Sequence, residues 1–167
     1  MKTLKRIEKY PFPSKEVFNA IDDLGVTGAH MTESSAMMMG SKLHLEFLSK
    51  NKTGPGSQYR WTGKMMGAAM DFTVKVTKWV EGKEKIWETV GPTKLIIYSW
   101  YRMSLVVRDT PPGSEAELSI TYKKPIGLIN KILCFLFADW YCRWCLKQML
   151  GDARKTLANK KASTAVA

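Results

Sequence analysis

Pro125-Ile-Gly-Leu-Ile-Asn-Lys-Ile-Leu-Cys-Phe-Leu-Phe-Ala-Asp-Trp-Tyr-Cys-Arg-Trp-Cys-Leu-Lys-Gln-Met-Leu150 is the stretch that decides the fold. It is apolar, aromatic and long, and it follows a series of segments that alternate like strands. Proline at its head suits a helix start, because the first-turn amides lack helical partners anyway. Ile126, Ile129, Leu133, Phe137, Trp140 and Trp144 recur at helical spacing as one stripe, which predicts the face that packs inward. Leu128, Ile132, Phe135, Leu136 and Tyr141 widen that stripe beyond an ordinary amphipathic face. Lys131, Asp139, Arg143 and Lys147 interrupt it, which argues against a membrane span. After Gly151 the pattern turns polar, and Ala162 to Ala167 reads as a frayed tail.

The segments before the helix read as half-buried antiparallel strands. Glu115 to Lys124 alternates most cleanly, with Ala116, Leu118, Ile120 and Tyr122 on one face. Leu43, Leu45 and Phe47 share a face, with His44 and Glu46 opposite. Asn51-Lys-Thr-Gly-Pro-Gly56 is a turn. Tyr59, Trp61 and Met65 then face one way, and Met70, Phe72, Val74 and Val76 repeat the pattern after Gly67. Glu84 to Val90 predicts a short strand with Ile86 and Trp87, closed by a turn at Gly91-Pro92. Lys94 to Arg108 predicts a long strand whose facing is open, with a bulge near Ser99 or Ser104. At the start of the chain, Lys2 to Tyr10 predicts a strand. Ser14 to about Asp23 predicts a short helix with Ser14 as its cap. Val26 to Gly40, with the run Met37-Met-Met39, fits a second short helix or a loop.

The chain has 167 residues, 45% apolar and 11% aromatic, with a net charge of +11. That length predicts one domain, residues 1–161, with 162–167 as a flexible tail. The charge favours an anionic partner, or serves solubility alone. Three cysteines in one segment do not make a secreted disulfide framework. The N-terminal residues lack an apolar signal-peptide core, so a soluble, cytoplasmic protein is expected.

The order is a strand, short helices, about six more strands and a long final helix. It resembles the SRPBCC superfamily, which includes START-like lipid carriers, pollen-allergen-like proteins and polyketide cyclase/dehydrase-like proteins. The resemblance spans nearly the whole chain. It rests on Pro13-Ser-Lys-Glu-Val-Phe18, Gly54-Pro-Gly-Ser-Gln-Tyr-Arg-Trp61, Gly63, Gly67, Ile86-Trp-Glu-Thr89, the Tyr122-Lys-Lys-Pro125 junction and Trp140 to Leu150. It implies an α+β helix-grip fold: a curved antiparallel sheet of about seven strands wrapped around the C-terminal helix, with an apolar cavity between. It also implies binding of a lipid, sterol or polyketide-like molecule, or a cyclase/dehydratase activity in the same cavity.

The residues expected to line such a cavity are Tyr59, Trp61, Met65, Met70, Phe72, Trp87, Trp100, Phe137, Trp140 and Trp144. A filled core is the competing reading of the same set. Cys142-Arg-Trp-Cys145 has the spelling of a redox or zinc pair. It lies inside the helix rather than at its N-terminus and lacks further ligands, so buried structural thiols fit better. No metal or cofactor is expected. A Ser34, His30, Asp23 set is writable, but only geometry identifies a triad. Tyr59, His30 and Arg102 are the candidates for moving protons. Nucleic-acid binding is not expected, because Lys64, Lys75, Lys78, Lys83 and Lys85 are read as lying opposite the aromatics. For the outer side of the helix the candidates are an anionic membrane surface, a second copy of the chain, or the short N-terminal helices.

Overall fold

A computed structural model describes residues 1–32, 43–65 and 67–165, with side chains omitted at 29, 30, 65, 164 and 165. The Met37–Met39 run, and with it most of the segment read as helix or loop, lies outside the described residues. The order is β1 (Lys2–Tyr10), α1 (Ser14–Asp22), α2 (Leu24–Thr27), α3 (Ala29–Thr32), β2 (Leu43–Phe47), β3 (Gln58–Met65), β4 (Ala68–Val80), β5 (Glu84–Lys94), β6 (Trp100–Thr110) and β7 (Gly113–Lys123). Then come α4 (Leu128–Leu133), a π-helical turn at Cys134–Ala138, and α5 (Asp139–Ala165). The last helix therefore continues past Lys161, where the sequence suggests a tail.

The seven strands form one antiparallel sheet in the order β1-β7-β6-β5-β4-β3-β2. Strands β2 to β7 follow one another as neighbours. The segment holding α1, α2 and α3 leads from β1 on one edge to β2 on the other. This is the helix-grip architecture: a sheet with one dry face, gripping the C-terminal helix.

Alternation sets that face, as predicted. In β7, Ser114, Ala116, Leu118, Ile120 and Tyr122 are buried while their neighbours are partly exposed. Strand β6 buries Tyr101, Met103, Leu105 and Val107, which settles its facing. Trp100 and Arg102 therefore lie on the outer face. Ion pairs dress that face: Arg60 grips Asp71 through two bonds of 2.8 and 2.7 Å, and Arg102 bonds Glu88 at 2.7 Å.

Two elements differ from the sequence reading. Strand β5 runs through Gly91-Pro92, and the connection falls later, at 95–99. Pro92 is tolerated because β5 pairs with β6 only as far as Glu88, so no ladder bond on that side needs its missing N–H. The start of α1 is capped by the Pro13 carbonyl, which accepts from the Glu16 and Val17 amides at 3.1 Å each. Ser14 is the first helical residue, and its own amide donates to Asp109.

The final helix is the larger correction. Its buried face is Cys134, Ala138, Cys142, Leu146, Leu150, Ala153 and Leu157, with Tyr141 and Met149 beside it. The stripe of bulkier residues faces away: Ile126, Ile129, Phe137 and Trp140 are exposed. Small residues let the helix approach the sheet closely, so bulk is a poor guide to facing here. The π turn adds a residue to one turn and shifts the register of everything that follows.

The helix is pinned at two points. Tyr122 Oη donates to Asp139 Oδ1 at 2.6 Å, and Lys2 pairs with the other oxygen of that carboxylate. Further along, Tyr10 Oη donates to the Leu150 carbonyl at 2.9 Å. Arg154 reaches Glu8 at 2.9 Å and the Lys9 carbonyl at 2.7 Å.

Candidate functional site

Between the dry sheet face and the last helix lies an apolar cavity of about 60 Å3. That is above the ~10–15 Å3 a cavity needs to hold a single water. Its sheet wall is Tyr59 and Trp61 of β3, Met70 and Phe72 of β4, Trp87 of β5, Tyr101 and Met103 of β6, and Ile120 of β7. Tyr98 enters from the loop before β6. Tyr141, Cys145 and Met149 face it from α5, and Leu24, Thr27, Gly28 and Met31 close it from the short helices.

Five of the ten expected lining residues meet here: Tyr59, Trp61, Met70, Phe72 and Trp87. The Met65 side chain lies outside the described ones. Four others point elsewhere. Trp100 stands on the outer face between Arg102 and Lys123, at 5.5 and 5.0 Å from its ring. Phe137 and Trp140 are exposed together with Ile126 and Ile129. Trp144 is half-buried, tilted against Tyr141 at 5.8 Å, and does not line the cavity. Among the expected proton carriers, Tyr59 lines the cavity, Arg102 lies outside it bound to Glu88, and the His30 side chain is not described.

Sequence reasoning missed the tyrosines. Tyr98, Tyr101 and Tyr141 line the cavity together with Tyr59. Tyr101 packs edge-on against Phe72 at 6.0 Å and against Tyr98 at 5.7 Å. Burial pushes all four phenols above their ordinary range, because a phenolate loses its hydration there. At neutral pH they hold their protons and can donate to a ligand oxygen. Tyr101 became readable only once the start of β6 was fixed, while Tyr98 falls in the preceding loop and Tyr141 on α5.

The thiols obey the same physics. Burial pushes Cys145 up to about 12 despite its hydrogen bond with Tyr141, and raises Cys142 as well. Neither is a nucleophilic thiolate at neutral pH. Among the described residues no group of three or more His, Cys, Asp or Glu side chains could hold a metal ion.

A charged pair stands behind the cavity wall. Lys85 was expected on the wet face, but it is buried on the dry one and ion-paired with buried Asp22 of α1. Trp79 Nε1 donates to the other carboxylate oxygen at 3.0 Å. The Lys85 ammonium also lies 4.9 Å over the Trp87 ring, whose indole lines the cavity. Desolvation lowers the Lys85 pKa, and Asp22 opposes that shift.

No family model matches the chain, and no curated protein matches it in sequence. Solved structures do match in fold. One is a protein of Thermus thermophilus, 16% identical, covering 93% of this chain and 99% of that one, with a TM-score of 0.67. Another is the ZhuI aromatase/cyclase of Streptomyces sp. R1128, 9% identical, covering 93% and 95%, with a TM-score of 0.67. Norcoclaurine synthase from Thalictrum flavum is 12% identical, covering 94% and 86%, with a TM-score of 0.66. At these identities the likeness is one of fold: the helix-grip fold that the SRPBCC resemblance implies.

Proposed function

We propose that this protein binds a hydrophobic small molecule in the cavity between its sheet and its last helix. The observation behind this reading is the composition of the wall: aromatic rings, four methionines and a set of protonated phenols. Apolar surface supplies affinity, and a few hydroxyl donors fix orientation. The preferred ligand is a flat or aromatic hydrocarbon skeleton bearing one or a few oxygens.

The cavity is well below the ~300–1,000 Å3 of a drug-sized site. Met31, Met70, Met103 and Met149 account for how a larger ligand enters. Methionine is unbranched and repacks among rotamers at low cost, so a ligand displaces thioethers rather than backbone. Displacement of a fluorescent apolar dye by candidate lipids, sterols and aromatic polyketides tests the reading. Saturable displacement supports it, and a core that excludes every such probe overturns it.

A second reading uses the same cavity for a cyclase or dehydratase reaction. It is supported by Tyr59, a buried proton donor beside the space a ligand would fill, and by the fold shared with an aromatase/cyclase. Turnover of a bound polyketide-like ligand, lost in Tyr59→Phe with binding retained, would separate it from a carrier. In either reading, residues 1–161 act as one SRPBCC-like domain in the cytoplasm, with the three cysteines as free thiols.

A further inference from the structure

Among the described residues, the first turns of the C-terminal helix pack on the core through Leu133 and Cys134, and their other apolar side chains lie in the open. Helix α4 contributes no buried residue at all. Ile126 is 90% exposed, Leu128 77%, Ile129 75% and Phe135 84%, and Ile132, Leu136, Phe137 and Trp140 are exposed beside them. Single exposed apolar residues are ordinary, but a continuous cluster of this kind marks an interaction site.

Its shape selects the partner. Phe135, Leu136 and Phe137 are consecutive in the π turn, so they fan across on the order of half of the helix perimeter. One flat protein surface covers a single face of such an element. Hydrocarbon can cover every side that Cys134 and Ala138 do not turn to the core. The charge agrees: Lys123, Lys124, Lys131, Arg143 and Lys147 border the cluster and are all exposed. The carboxylate within that stretch, Asp139, is already engaged by Lys2 and Tyr122. Trp140 lies at the boundary between the greasy turns and the body of the protein, the position an indole takes at a membrane interface. No helix among the described residues is long and apolar enough to cross a membrane.

We propose that residues 126–140 are a docking head for the surface of an anionic lipid bilayer: α4 and the π turn enter the headgroup and acyl boundary, and the flanking lysines and arginine meet lipid phosphates. The inference stands independently of what the cavity holds.

Co-sedimentation of the full chain with vesicles reads it directly. Vesicles of phosphatidylcholine with phosphatidylglycerol should bind the protein, and added salt should weaken that binding. Vesicles of phosphatidylcholine alone should bind about tenfold more weakly or worse, since the basic residues near the surface then have no anionic lipid to attract. Ile129→Ser and Phe135→Ser should each weaken binding by about tenfold, with thermal melting unchanged because both side chains already face water. Lys131→Glu should weaken binding to the anionic vesicles by about fivefold or more. Absence of binding, or equal binding to both vesicle types, overturns the proposal. So does a dimer in sedimentation velocity that Ile129→Ser and Phe135→Ser dissolve, which assigns the surface to a second copy of the chain.

Discussion

Gly28 sits directly against the Trp61 indole: a Cβ added at 28 would lie 3.0 Å from Cη2 of that ring and 2.5 Å from the Leu24 carbonyl oxygen. The wall of short helices and the wall of the sheet meet there without slack. Gly28→Ala is expected to destabilise the fold by about 1–3 kcal/mol, because the α2 backbone and the indole must both move. Urea unfolding measures the loss. A stability equal to wild type would mean that α2 yields freely.

Trp61→Ala removes the other half of that contact. It should cost about 3–5 kcal/mol, as large-to-small aromatic truncations do in a packed core. It should also enlarge the cavity, so dye binding should shift toward bulkier probes. Trp100→Ala is the control, since its ring stands on the outer face and should leave dye preference unchanged.

Lys85 and Asp22 test what a buried ion pair contributes. Removing the ammonium alone, as in Lys85→Met, strands a buried carboxylate and should cost about 3–5 kcal/mol. The double change Asp22→Asn with Lys85→Met should recover much of that loss, because neither residual group is charged. Chemical denaturation of the two variants decides the matter. A double variant as unstable as the single one would show that the cost lies in packing against Trp87.

The carboxylate of Asp139 is held below its ordinary range, first by the Lys2 ammonium and then by the Tyr122 hydroxyl. A carboxylate depressed in the folded state stabilises above its unfolded pKa, and that contribution is lost as pH falls through the folded value. Wild type should therefore lose stability on acidification below about pH 4, the ordinary carboxylate range. Asp139→Asn should be less stable at neutral pH, with a shallower acid limb. The pair is half-exposed, so solvent screening keeps the effect modest. Melting temperature against pH, compared between the two, checks the sign.

Thiol reagents report on the state of the core. With Cys142 and Cys145 both held protonated by burial, alkylation at neutral pH should be slow in the native protein and fast in denaturant. Rapid native labelling at Cys145 would mean that the cavity opens to water more readily than its packing implies.

Legibility followed the physics that sets each element. Alternation in β3, β4 and β7 identified Tyr59, Trp61, Met70, Phe72 and Ile120 as inward-facing, because a period of two leaves a strand no other way to bury one face. The β5–β6 boundary was illegible, because Gly91-Pro92 has the composition of a turn yet lies where β5 has no β6 partner to satisfy. The helix misled most. A hydrophobic stripe predicts facing when the largest groups seek the core. Here Cys134, Ala138 and Cys142 take the contact because they are small, and the π turn carries no sequence signature that would have warned of the shift. Helical spacing puts Phe137 and Trp140 on the inward stripe, and both are exposed because the face of Cys134, Ala138 and Cys142 takes the contact instead.

The pairing of β1 with β7 bears on how the chain comes off the ribosome. Lys2 lies opposite Tyr122, so the first strand made must wait for the last before it has a neighbour in the sheet. Until then β1 is an open edge, and the growing β2–β7 meander lacks its closing strand. Long-range pairing of this kind slows folding, since the loop must close before any contact rewards it. The dry face of the sheet likewise stays uncovered until α5, made after every strand, packs onto it.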